Sequence, residues 1–351
     1  IAKQAAQLTV FQRTPNFSVP ARNQPLSEKT VQWWKENYPG LRKTARETMR
    51  SGTIYDLPEK PAIGTDPKEV RAELEARWEK GGANFAYAFA DFILDIDANT
   101  IAAEFVRDKI RKIVDDTATA EALCPKDYPI FCKRICVDTD YFATYNRDNV
   151  SLVNLRNTPL EKITPNGVKT SDQEREFDVV IYATGFDAIT GSLTRLNLTG
   201  TEGRTLAEKW AEGPKAYLGL TTSEFPNLFT ITGPGSPSVL SNMIVSIEQH
   251  VDFLSELMMS IRNRGISRIE TTAEDEENWA MHVTEVANQT LYPKAASWYM
   301  GANIPGKPRV FMPYIGVDAY REKCNEIAAA GYPGFVMTSA STLAKAASGG
   351  S

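Results

Sequence analysis

Five short apolar runs constrain this chain more than any other feature: LTVFQ at 8–12, YPIFCKRICVD at 128–138, VSLVNL at 150–155, EFDVVIYATGF at 176–186 and NLFTITG at 227–233. The later four are bounded by Gly, Pro and Asn, the pattern of buried strands in an α/β sheet. Between the first run and the second the texture is helical, which predicts an all-helical insert over 21–127. Within it TDPKEVRAELEARWEKGG predicts a helix with Asp66 as N-cap, Pro67 at its first position and Glu69 closing a capping box. Val70, Leu74 and Trp78 fall on one stripe before Gly81 and Gly82 stop it. NFAYAFADFILDID and NTIAAEFVRDKIRKIVDD predict further helices, the second with Ile101, Phe105 and Ile113 at helical spacing. NMIVSIEQHVDFLSELMMSI predicts an amphipathic helix of about five turns. An aromatic stripe including Trp33, Trp34 and Phe89 reads as core packing sooner than as the lining of a ligand cavity.

The opening IAKQAAQLTVFQRTPN reads as the late part of a dinucleotide-binding unit: residues 1–6 as the tail of a helix, 8–12 as the second strand, Arg13 and Thr14 as its ribose-reading end. The first strand and its glycines are not in the sequence, so the chain reads as part of a longer parent. An arginine in place of the usual acid can pair with a 2'-phosphate, which points to NADP; a solvated arginine is the plainer alternative. In IFCKRIC, Lys133 and Arg134 sit side by side inside an apolar run. On a strand they would point to opposite faces, so one of them needs an anion, either a ligand or an internal carboxylate. Thr184 and Gly185 fall at the carboxyl end of a hydrophobic run, where open α/β sheets bind ligands and a glycine lets backbone approach closely. A simple strand-ending turn accounts for the same letters. TITGPGSPSVLSNM reads as strand, Gly/Pro loop and helix start marked by Ser241 and Asn242, an arrangement that favours negative charge on a ligand. GPGSPS is not a GxGxxG motif.

A net charge of -5 gives no general footprint for nucleic acid or an anionic membrane, and no apolar stretch approaches the roughly 20 residues of a membrane span. The four cysteines, at 124, 132, 136 and 324, have no zinc-type spacing and read as reduced thiols, Cys132 and Cys136 on one face of a strand. His250 and His282 fall in helical context without metal-ligand spacing and read as packed or helix-surface residues. AEDEEN reads as a solvated helix start, and 339–351 as a flexible tail.

Taken together, FQRTPNFSVPARN, KDYPIFCKR, ATGFDAITG, NLFTITGPGSPSVLSNM and YPKAASWYMGANIPGKPRVF resemble the type I Baeyer-Villiger flavin monooxygenases, phenylacetone monooxygenase-like, from residue 1 to about 338. The resemblance implies an α/β fold: parts of two Rossmann-like dinucleotide-binding domains, for FAD and NADPH, with the helical insert and without the N-terminal half. The expected boundaries are 1–20 and 128–186 for the NADPH domain, 21–127 for the insert, and 187–338 for the FAD domain. It implies oxidation of ketones to esters or lactones with O2 through a peroxyflavin. Arg134 would be the catalytic arginine; Arg13, Thr14 and Lys133 would read the NADP 2'-phosphate and Trp298 would meet the nicotinamide cofactor. Met243, Thr184 and Gly185 would lie on the FAD side, and Ser238, Val239 and Leu240 would shape the substrate pocket. The expected partners are a small-molecule ketone and O2, with no metal, nucleic acid or membrane, in a cytoplasmic monomer or weak oligomer. The family's two GxGxxG units, its FxGxxxHxxxW fingerprint and the aspartate that partners the arginine are not found in this sequence. Two alternatives stay open: a related flavin monooxygenase acting on nitrogen or sulfur, and a non-catalytic fragment unable to bind FAD.

Overall fold

The computed structural model describes residues 1–342. They form an α/β chain of two compact units, one of Ile1–Pro25 with Asp56–Gly185, the other of Leu26–Tyr55 with the described part of Phe186–Ser351.

In the first unit the strand Leu8–Gln12 forms as expected and pairs in parallel with Val150–Asn154, Leu8 opposite Val150 and Gln12 opposite Asn154. Residues 1–6 make a single turn, Ala5 N–H to Ile1 O at 3.0 Å, rather than a helix tail. Ser18–Pro20 pairs in parallel with Cys136–Asp138, and Leu160–Thr164, Gly167–Thr170 and Glu174–Glu176 make an antiparallel meander. The helix Pro67–Lys80 has Asp66 accepting from Lys68 N–H, and it buries Val70, Leu74 and Trp78. Glu69 does not close a capping box; it pairs with Lys60 at 2.6 Å. The helix ends where Gly81 takes φ +76°, a left-handed value, with Arg22 Cγ only 2.4 Å from where a Cβ would stand, so only glycine fits there. The helix Ile96–Ile113 buries Phe105 but leaves Ile101 exposed. The run NFAYAFADFILDID makes only the 3-10 turn Ala83–Tyr87 and further turns, although Phe85, Phe89 and Phe92 are all buried.

Three runs expected as strands are something else. Residues 128–135 are turns and bends: Asn99 of the helix Ile96–Ile113 donates to the carbonyls of Ile130 (2.8 Å) and Phe92 (2.7 Å), and Phe131 takes φ +71° to stack on Phe92. Capture of the carbonyl by a helix side chain removes it from any ladder, so Lys133 and Arg134 are not on opposite faces of a strand. Cys132 is buried in this turn and Cys136 is exposed on its short strand, so the two do not share a strand face; all four cysteines are free thiols. The run 179–188 belongs to no strand among the described residues, Gly185 takes φ +86° within it, and Val179 and Tyr182 are 73% and 68% exposed. In 227–233 no strand forms: Asn227 N–H donates to Ile269 O at 2.9 Å and its side chain accepts from Ile269 N–H at 2.9 Å, which occupies one strand residue at a single point, while Thr230 N–H bonds to Leu220 O in a loop at 2.8 Å.

The second unit is built around the helix Met243–Asn263, the helices Ala273–Asn288 and Val317–Ala329, and the antiparallel pair Ile266–Thr271 with Phe335–Ser339. Their shared core includes Leu218, Phe253, Leu257, Trp279, Tyr299 and Tyr320. The helix Glu28–Glu47, read in sequence as part of the insert 21–127, sits in this unit: Arg42 and Arg46 pair with Glu248 and Asp252 at 2.6 and 2.7 Å. Trp33 and Trp34 on it are 48% and 43% exposed, so they are not core residues, whereas Phe89 is buried. Ser339 is paired in a strand, and the rest of the expected tail from 343 lies outside the described residues.

Candidate functional site

In the first unit, parallel pairing delivers the candidate cations. The strand Leu8–Gln12 ends in a bend that exposes Arg13, with Thr14 half-buried beside it. Behind them the Tyr128 hydroxyl lies 2.6 Å from Asn16 Oδ1 and accepts from Phe17 N–H at 3.3 Å, fixing its ring under this loop. Lys133 stands over that ring, Nζ 4.2 Å from the centroid. Burial, then the Arg13 guanidinium, and further Arg156, hold the Lys133 ammonium below the usual lysine range, against Asp127, which acts the other way. The fold thus brings Arg13 and Lys133 together from 120 residues apart in sequence, and the site carries excess positive charge. Arg134 is exposed, and its carbonyl accepts from Asn16 Nδ2 at 3.3 Å, which anchors its backbone to the same loop. Thr184 and Gly185 are exposed in this irregular run; Gly185 has φ +86° and open space where a Cβ would be, leaving room for a close ligand.

In the second unit Asn242 caps the helix Met243–Asn263, accepting from Ile244 N–H at 3.1 Å, and leaves Met243 and Ile244 exposed at its start. The preceding loop is stiff. Ser238 is buried with φ +37°, and Ser241 Oγ donates to its carbonyl at 3.0 Å and meets Ser246 Oγ at 2.6 Å. Val239, Leu240 and Trp298 all pack on the same core, Trp298 from the 3-10 turn Trp298–Met300. Sequence reading missed the clamp that holds the loop beyond Trp298: Lys307 pairs with Asp187 at 2.6 Å, Asn303 Nδ2 donates to Phe186 O at 2.7 Å, and Arg309 donates to the Gly301 and Lys307 carbonyls. Only the letters FD after ATG and the K and R of PGKPR hinted at it.

The two histidines are packed, as read. His282 Nε2 lies 3.1 Å from the Tyr314 hydroxyl. His250 is buried, its Nδ1 accepts from Thr232 N–H at 3.0 Å, and burial pushes its pKa down to about 4. A folded-state value below the unfolded 6.5 means stability is present above pH 6.5 and lost as pH falls toward 4. Unfolding in urea is expected to show about 2 kcal/mol of stability lost between pH 7 and 5 through this residue, and a His250→Gln variant should show a flatter profile. An equal pH slope in the variant would exclude His250 as its source.

No group of three or more potential metal ligands occurs among the described residues, and no described helix is long and apolar enough to cross a membrane. No protein-family model matches the chain. The chain is 39% identical over 342 residues to acetone monooxygenase (methyl acetate-forming) of Gordonia sp. (strain TY-5), covering 96% of this chain and 64% of that protein. It is 37% identical to a Baeyer-Villiger monooxygenase of Pseudooceanicola batsensis (95% and 61% covered) and 39% identical to phenazine N-monooxygenase of Lysobacter antibioticus (96% and 62%). It superposes on oxidized steroid monooxygenase bound to NADP with a TM-score of 0.88 at 45% identity, covering 96% of this chain and 63% of that one. For OTEMO in complex with FAD and NADP the TM-score is 0.91 at 34% identity, with the same coverage. The chain therefore spans 61–64% of the length of these proteins.

Proposed function

We propose, from this kinship with the Baeyer-Villiger monooxygenases, that the chain carries parts of an FAD domain and an NADPH domain of an enzyme oxidising ketones to esters or lactones. The observation that carries the reading is the cationic cluster of Arg13 and Lys133 at the end of a parallel strand pair, in a chain 34–45% identical to monooxygenase structures bound to NADP. Its donor chemistry suits a 2'-phosphate, with Thr14 as a further hydroxyl partner. In the second unit the capped helix start at Met243 suits a flavin, and in the first unit Gly185, with φ +86° and open space at its Cβ position, is by itself the kind of residue that lets backbone approach one; the phosphate-binding glycines are not among the 351 residues.

When bound, FAD would take two electrons from NADPH and insert one atom of O2 beside the ketone carbonyl: ketone, O2, NADPH and a proton give ester, NADP+ and water. The protein's part is electrostatic and steric. Arg134 would stabilise an anion during oxygen transfer through the planar fork of donors on its guanidinium. Trp298 would orient the nicotinamide cofactor through its indole N–H. Ser238, Val239 and Leu240, on a loop stiffened by Ser241 and Ser246, would set the size of ketone admitted.

The test offers the protein FAD, NADPH, 18O2, a cyclic ketone and an N-heterocycle together. We expect lactone carrying one 18O per NADPH consumed. N-oxide without lactone would favour nitrogen oxidation, the reading suggested by 39% identity to phenazine N-monooxygenase. No flavin bound and no NADPH consumed would leave the chain non-catalytic.

A further inference from the structure

The strand pairing that presents Arg13 also presents a cation to which no role has been given. Gln12 is opposite Asn154, Leu155 N–H continues the ladder to Gln12 O at 2.9 Å, and Asn154 Oδ1 turns the chain by accepting from Arg156 N–H at 3.1 Å. Arg156 is thereby set beside Arg13, and its Nε donates to the Arg13 carbonyl at 3.1 Å. Its other arm pairs through Nη2 with Asp127, the residue before the Tyr128 that carries Lys133 on its ring. Two cations, Arg156 and Lys133, thus act on the Asp127 carboxylate, while Arg13 is tied to Arg156 through its carbonyl and its charge reaches Lys133, in a place where the Arg156 and Asp127 side chains are each about half exposed. An exposed ion pair alone stabilises little, and two contacts already fix this guanidinium. Nη1 has no partner among the described residues.

We propose that Arg156 is a further phosphate-binding residue of the chain, contacting the 2'-phosphate of NADPH together with Arg13 and Lys133; this rests on the NADP reading of the site. The charge accounting supports it. Arg13, Lys133 and Arg156 less Asp127 leave two positive charges, which a phosphate dianion balances, and it would remove the mutual repulsion felt by Lys133. Asp127 and the Arg13 carbonyl hold the guanidinium in place beforehand, so little side-chain freedom is lost on binding.

The probes are adenosine 2',5'-bisphosphate and adenosine 5'-phosphate, titrated calorimetrically into the protein and its Arg156→Ala, Arg156→Lys and Arg13→Ala variants. Arg156→Ala is expected to weaken the bisphosphate about tenfold while leaving the monophosphate within twofold, and Arg156→Lys to recover part of the loss. Unchanged bisphosphate affinity in Arg156→Ala, with a loss in Arg13→Ala, overturns the role of Arg156 and leaves the NADP site standing. No loss in either variant overturns the site itself. Displacement of the bisphosphate by equimolar inorganic phosphate would mark a general anion patch and also overturn the proposal.

Discussion

On the proposed ketone oxidation, Arg134→Ala is expected to lower ester formation by about 10²–10³-fold while NADPH oxidation continues. The reasoning starts from charge. Attack on a ketone carbonyl by an anionic oxidant would build negative charge, and a guanidinium beside it would stabilise that charge without transferring a proton. Reduction by NADPH places no such demand on Arg134, so the two half-reactions should separate in the variant. Lysine keeps the charge but not the planar fork, and Arg134→Lys should fall between. Urea unfolding of both variants, run beside the assay, separates a loss of chemistry from a loss of fold. The assay compares ester formed with NADPH consumed under single-turnover and steady-state conditions. Ester formation at the wild-type rate in Arg134→Ala would remove this residue from the mechanism.

What the sequence made legible was local. The strand Leu8–Gln12 has strand-forming residues and a Pro soon after it; the helix Pro67–Lys80 has its cap, stripe and stop within 18 letters; the helix Met243–Asn263 has an Asn cap and a continuous apolar face. The misreadings were decided by distant partners. IFCKRIC has strand composition, but Asn99, some thirty residues earlier, captures the Ile130 carbonyl and turns the backbone. The reading that placed Lys133 by strand alternation therefore had the wrong geometry, even though the Arg13 charge does act on Lys133. The apolar letters of VVIYATGF predict a strand only if neighbouring strands exist on both sides, and nothing within the run encodes those neighbours. Trp33 and Trp34 show the opposite failure: a helix joined to its unit by Arg42 and Arg46 ion pairs buries none of its residues, so its aromatics carry no core signal.

The same distinction makes Glu276→Ala the change with the largest expected effect on stability, about 3 kcal/mol. In AEDEEN, Glu276 looks like one of several solvated acids opening a helix, and three of them do lie in the first turn of Ala273–Asn288, capped by Thr272. Helical rotation carries Glu276 inward, to 2% exposure. There it accepts from Ser223 N–H at 2.9 Å and Ser223 Oγ at 2.7 Å, and Lys209 Nζ lies 3.2 Å away. Truncation leaves a buried N–H without its acceptor and takes one of two carboxylates from a mostly buried ammonium; Glu224, 2.9 Å from Lys209, keeps the loss below that of a fully orphaned charge. Glu276→Gln preserves shape and one acceptor oxygen but turns an NH2 toward donors, so about half the loss should remain. Glu274→Ala, an exposed neighbour in the same run, should change stability by less than about 0.5 kcal/mol. Urea unfolding with a constant m-value separates the three variants. If Glu276→Ala and Glu274→Ala unfold at the same urea concentration, the buried carboxylate is not what ties this helix to the loop at Ser223.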